Sequence, residues 1–240
     1  MFNPTVARLT YRALLGRRRA LILCALPLLL LAVSVLVRTM VGQDDDVAVS
    51  LLGGFALAAM VPLIGVVAGT GAIAPEIDDG SVVYLLAKPL KRSSIVLTKL
   101  LVAIGVTVAF SAVPVFVAGF VLNGDSQRIA VAYTVAAAVA SVAYSALFLL
   151  LGTVSRHAVV IGLVYALIWE ALVGSVVPGA KTLSVQQWSL ALAEKVAGDG
   201  AGVASDVGLP TGVTLLALAT VGGAWAAAAR MRSLTVAGDE

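Results

Sequence analysis

Side chains able to do acid–base, nucleophilic or ligand chemistry are few in this chain, and they fall in short stretches. Only 12% of the 240 residues are Asp, Glu, Lys or Arg, about half the ~25% of a soluble domain. The densest stretch, 75–94, opens with Glu76, Asp78 and Asp79, passes Gly80, and closes with Lys88, Pro89, Lys91 and Arg92. Acids at the start of a short helix and bases at its end complement the helix dipole. Val82, Val83, Leu85 and Leu86 give that helix an apolar face too short to span a bilayer, and Pro89 stops it, because the residue before proline avoids the helical region. Glu170 stands apart, beside Trp169 inside an apolar run. An ionisable group at membrane depth is costly and is read first as functional. Three readings stay open for it: it lines a substrate path, it pairs with a basic group such as Lys181 or Arg38, or it sits at the outer interface and hydrates.

Most catalytic chemistries are excluded by what is missing. No G-x-x-x-x-G-K-[ST] occurs, so nothing in the chain cradles nucleotide phosphates. G-x-S-x-G and H-E-x-x-H are absent, and the apolar runs contain no Asp for an intramembrane aspartyl pair. The single histidine, His157, has no Cys or carboxylate cluster around it, so no metal site is expected. Asp44-Asp45-Asp46 has the makings of a divalent-cation site, although such a run outside a membrane is ordinarily just solvated. The one cysteine, Cys24, rules out an intramolecular disulfide. Neither a catalytic residue nor a cofactor of the chain's own is expected.

What positions these groups is a set of apolar helices. The apolar fraction is 60% and the mean hydropathy +1.05, more apolar surface than a soluble fold of this length can hide. About 20 apolar residues cross roughly 30 Å of hydrocarbon, and the chain divides into six such runs: 20–37, 47–74, 95–122, 129–154, 158–177 and 212–229. The expected fold is an all-α integral membrane protein with a six-helix transmembrane domain over 20–229. Pro62 and Pro114 predict kinks in the second and third spans. Small residues such as Ala136-Ala137-Ala138 and Gly222-Gly223 allow close helix approach. The first run follows Arg17-Arg18-Arg19, but its length and the Arg38-Thr39-Met40 sequence after it differ from a cleaved signal peptide, so it reads as a retained span.

Charge sets the orientation. With the N-terminus in the cytoplasm, twelve Lys and Arg lie inside and four outside, so the positive-inside rule places both termini, including the tail 230–240, in the cytoplasm. Residues 1–19 read as an interfacial amphipathic helix. Phe2, Val6, Leu9 and Ala13 form an apolar stripe. Arg8, Arg12 and Arg19 line a neighbouring face, with Arg17 and Arg18 at the membrane flank, suited to anionic lipid head groups. Lipids, and no nucleic acid, are the surface partners implied. Before the last span, 184–196 can form a short, half-inserted external helix with Trp188, Leu192 and Val196 on one side, a plain surface loop being the alternative. Residues 197–210, rich in Gly, Ala and Asp, read as a mobile loop.

From Glu76 onward the pattern E-x-x-x-G-S-x-x-x-L-L-A-K-P-x-x-R, with Lys99 just inside the next span, resembles the ABC-2 type permease family. Those proteins are membrane subunits of ATP-binding cassette exporters. The resemblance extends to the layout: a basic N-terminal helix, six spans and a longer external segment before the last. It implies that the loop between spans two and three is a coupling helix docked on a separate ATPase subunit, which binds the ATP and Mg. It also implies that two permeases, identical or homologous, form one path. Glu76, Asp78 and Asp79 would then face the ATPase, while Lys88, Lys91 and Arg92 contact it or the lipid surface. Ile77-Asp78-Asp79 is more acidic than the family often shows there. The resulting expectation is a permease subunit in the cell membrane, the inner membrane in a bacterium. Sparse charge in the spans favours an apolar or amphipathic cargo. The alternative is a channel or structural membrane partner without ATP coupling.

Overall fold

In hydrocarbon every backbone polar group needs a partner from the protein, and a helix supplies those partners within one segment. The computed structural model describes residues 4–78, 92–124, 127–173, 178–198 and 200–233, and among them all regular structure is helical. The order is α1 (Pro4–Leu14), α2 (Arg17–Val41), α3 (Asp45–Ser50), a π segment (Leu51–Met60), α4 (Val61–Gly71), α5 (Ala74–Asp78), α6 (Arg92–Leu122) and α7 (Gln127–Val154). It continues with α8 (Ala158–Val164), a second π segment (Tyr165–Val173), α9 (Pro178–Lys181), α10 (Val185–Ala197) and α11 (Leu209–Ser233).

Among the described residues, five stretches are long and apolar enough to cross a membrane: Arg19–Val41, Asp45–Glu76, Ser93–Leu122, Gln127–Val154 and Leu209–Arg232. The chain is thus a multi-pass membrane protein. The remaining predicted run, 158–177, gives only the shorter apolar helix Ala158–Leu172, which at about 1.5 Å per residue covers roughly 22 Å of the ~30 Å required. Residues 174–177 lie outside the described residues.

The second and fourth spans form the interior, and the first and last are mostly exposed. α7 is the hub, packing on α4, α6, α10 and α11. Glycines set its distance from α4. A Cβ at Gly65 would lie 2.8 Å from Tyr144 Cβ, and one at Gly69 2.7 Å from Phe148 Cβ. These two glycines, one turn apart, leave flat ground on α4 into which Tyr144 and Phe148 press. The two rings stack on each other at 5.8 Å. Such fit matters because lipid tails are as apolar as leucine and give no hydrophobic drive for helices to associate. Between α6 and α7 the glue is polar. Ser111 and Ser141 share a 2.6 Å hydrogen bond, and Ser145 Oγ donates to Thr107 Oγ1 at 3.1 Å, all four residues being fully buried.

Pro62 falls where the first π segment gives way to α4. A proline ring clashes with the carbonyl four residues back, and wider turns ahead of it relieve that clash. α6 runs through Pro114 to Leu122. At the N-terminus the packed face of α1 is Val6, Thr10 and Leu14, whereas Leu9 is 57% exposed and Ala13 is exposed too. The expected stripe is therefore divided. α1 packs on α6 and α4, so Val6 of the stripe meets the bundle while Leu9 and Ala13 stay exposed. Phe2 lies outside the described residues. Asp44, first of the acidic run, caps α3, its Oδ1 accepting from the amides of Asp46 (2.9 Å) and Val47 (3.1 Å).

The α4–α7 contact gives a direct prediction. Gly69→Ala should lower stability by about 1–3 kcal/mol through overpacking against Phe148, read as thermal unfolding in detergent. Gly105→Ala, where nothing lies within 4 Å of the added Cβ, should be neutral or slightly stabilising.

Candidate functional site

Two polar clusters, at different ends of helices, hold four of the ionisable groups that the sequence singles out: Arg19, Glu76 and Lys99 in one and Glu170 in the other. The first lies where the second span ends. The last carbonyls of a helix have no partners within it, and they carry the negative end of its dipole. At the end of α4, Arg19 Nη1 from α2 donates to the Gly71 carbonyl at 3.2 Å, and Lys99 Nζ from α6 donates to the Ala72 carbonyl at 2.7 Å. Lys99 also pairs with Glu76 Oε1 of α5 at 2.6 Å. Lys99 is 1% exposed and Glu76 27%. Leu14 of α1 presses on the same turn, since a Cβ at Gly71 would lie 3.0 Å from Leu14 Cδ2. Four helices and α5 thus meet at the base of the 79–91 segment.

This arrangement gives one acidic residue of the motif an inward partner. The carboxylate of Glu76 turns to Lys99. Asp78 ends α5 and Arg92 begins α6, but the side chains of both lie outside the described residues, as do Asp79, Gly80, Lys88, Pro89 and Lys91 entirely. Among the basic N-terminal residues, Arg8 and Arg12 are exposed on α1, and Arg19 is drawn to Gly71. Arg17 and Arg18 open α2, their side chains outside the description.

The second cluster surrounds Glu170, which is 0% exposed. Its Oε1 accepts from Tyr165 Oη at 2.7 Å and the Val185 amide at 3.0 Å. Its Oε2 accepts from Ser184 Oγ at 2.5 Å and the Gln186 amide at 3.3 Å. The carboxylate therefore sits on the N-terminus of α10 as a bound anion would, satisfying amides that the helix leaves open and complementing its positive end. Such bonding is what makes a buried carboxylate tolerable. Gln186 Nε2 extends the anchor by donating to the Gly53 carbonyl at 3.0 Å in the first π segment.

The partners proposed for Glu170 from charge alone are engaged elsewhere. Lys181 pairs with Asp206 at 2.8 Å, and Arg38 Nη1 donates to the Leu122 carbonyl at 3.2 Å. α10 is well seated in the bundle, with Gln186, Gln187, Trp188 and Ser189 all buried. Trp188 Nε1 donates to the Thr182 carbonyl at 2.8 Å. Within 200–208, Ser205 Oγ donates to the Gln187 carbonyl at 2.9 Å, and the Ser205 amide to Glu194 Oε2 at 3.1 Å. No grouping of three or more His, Cys, Asp or Glu suited to a metal occurs among the described residues. His157 stands in an exposed turn, its amide donating to Ser155 Oγ at 3.1 Å.

Sequence reasoning missed Ser184, Tyr165 and Gln186 as the partners of Glu170, and Glu76 with Ala72 as those of Lys99. A lone lysine in an apolar run does signal a hidden acceptor, but not which one.

Fold and polar clusters together define a multi-pass helical membrane protein with no catalytic constellation among its described residues. The family model described as "ABC-2 family transporter protein" matches residues 9–195. The chain belongs to that family and is a permease, a membrane component of an ABC transporter. No curated protein matches it.

The Glu170 anchor is testable by itself. Glu170→Leu strands two amides and two hydroxyls, each costing about 1–3 kcal/mol when buried and unpaired. Hydrogen exchange at the Val185 and Gln186 amides should accelerate strongly, with Glu170→Gln intermediate.

Proposed function

We propose that this chain is the transmembrane subunit of an ABC exporter, driven by a separate ATPase subunit that binds the ATP and Mg and docks on the segment beginning at Glu76. The observation that carries the reading is the family match over residues 9–195, which spans that segment in a chain with no phosphate-binding loop of its own. Asp78, Asp79 and Gly80, with Lys88, Pro89 and Arg92, form the docking face, and Glu76 secures its base. Two copies, or this chain and a homologue, enclose the path. The apolar character of the spans suits an apolar or amphipathic cargo such as a lipid, drug or peptide.

Both termini are cytoplasmic in this reading, by the excess of basic residues on that side. That topology requires the 158–177 run to cross as well. Local bilayer thinning meets a short span at a cost of fractions of a kcal/mol per Å. α10, anchored by Glu170, then covers the outer end of the path, and Glu170 acts there by holding the helix in place. Arg8 and Arg12 lie toward anionic head groups of the inner leaflet.

The test is purification of the tagged chain in nanodiscs with identification of what accompanies it. A stoichiometric P-loop ATPase is expected. Asp78→Ala with Asp79→Ala should weaken its retention about tenfold, equivalent to ~1.4 kcal/mol. A chain that emerges alone at every expression level, with no stimulated ATP hydrolysis, would overturn the reading in favour of a channel or structural partner.

A further inference from the structure

Gly71 and Ala72 present successive carbonyls at the end of the second span, and each is taken by a cation from a different span. Helix ends at a membrane surface are commonly satisfied by water or by their own last turn. Here Arg19 reaches across from the first span and Lys99 from the third. The Lys99 ammonium, 1% exposed, has the Ala72 carbonyl and the Glu76 carboxylate as acceptors. Moving Glu76 by about 1 Å carries a 2.6 Å bond beyond hydrogen-bonding range, and it leaves a buried charge incompletely paired. The pair therefore moves together or breaks at considerable cost. Glu76 lies in α5, whose last residue, Asp78, directly precedes the 79–91 segment.

We infer that Lys99 is a positioning residue for energy coupling, making the second and third spans follow any displacement of the segment that begins at Glu76. Arg19 joins the first span to the same movement through Gly71. The inference rests on the permease reading above and adds the route by which ATPase movement enters the membrane helices. Lys99 never touches nucleotide or cargo; it acts through Glu76 and Ala72. A purely structural lysine would stabilise the fold without affecting the transmission of ATPase motion, and that difference can be measured.

The experiment uses the full chain co-expressed with the ATPase that accompanies it, reconstituted in nanodiscs. ATP hydrolysis is compared with that of the ATPase alone, alongside the amount of ATPase bound and the thermal midpoint of the complex. Lys99→Met should keep bound ATPase at wild-type stoichiometry and lose roughly fivefold or more of the stimulation, the scale of coupling between linked sites. Lys99→Gln, which restores a donor for Ala72, should recover part of it, and Arg19→Gln should give a smaller loss. Wild-type stimulation in all three variants, with ATPase bound, overturns the inference. So does a loss of stimulation that only parallels a loss of bound ATPase or of folded complex. Should Lys99→Met fail to fold, Lys99→Gln and Arg19→Gln decide by the same criteria. Should the wild-type chain retain no ATPase, the permease reading fails and takes this inference with it.

Discussion

A helix that ends in or beside hydrocarbon leaves carbonyls at one end and amides at the other with no partners of their own. Both polar clusters in this protein answer that constraint, with opposite charge. At the end of α4, two cations from other spans close on Gly71 and Ala72. At the start of α10, a carboxylate from the second π segment closes on Val185 and Gln186. Each cap comes from a distant part of the fold, so satisfying a helix end also fixes how helices sit against one another. Sparse charge in such a chain is concentrated charge: the few ionisable groups buried in the membrane region are the ones that hold elements in register.

How much of this is legible in the sequence depends on the range of the interaction. Four long spans and the last one follow from summed hydropathy, because a run of apolar residues needs no partner to be recognised. The second half of the 158–177 run winds as a π segment as far as Val173, which composition does not announce. The same winding hides the Glu170 site. Residues five apart lie about 140° from each other around an α-helix, so Tyr165 and Glu170 do not meet in any α-helical reading; the wider turn brings them together at 2.7 Å. The stripe of α1 is divided for a different reason, since bundle and lipid both offer apolar cover: Val6 turns to the bundle, while Leu9 and Ala13 stay exposed. Lys99 is visible as a charge out of place, yet its partner lies 23 residues away across a segment whose course the sequence does not fix.

Packing of the interior explains why such long-range caps hold. α4 and α7 meet with Cβ-free ground at Gly65 and Gly69 under Tyr144 and Phe148, and α6 joins α7 through paired hydroxyls at Ser111 and Ser141. These contacts rely on fit, and fit resists small independent shifts because close-packed side chains lose contact over fractions of an ångström. α2 and α11 lie outside this block with much of their apolar surface exposed. The molecule thus has an inner group of helices that behaves as one piece and an outer pair free to take other neighbours.

The two π segments, Leu51–Met60 and Tyr165–Val173, pack against each other and impose a granularity on any rearrangement. Tightening a wide turn to an ordinary one displaces the helix beyond it by one residue position, a rotation of about 100°. No small intermediate rotation keeps the backbone ladder intact. Glu170 rides on one of these segments and the Gly53 carbonyl on the other, so such a click in either would withdraw one of the holds on α10 at a stroke. Movement of α10 would then proceed in discrete steps.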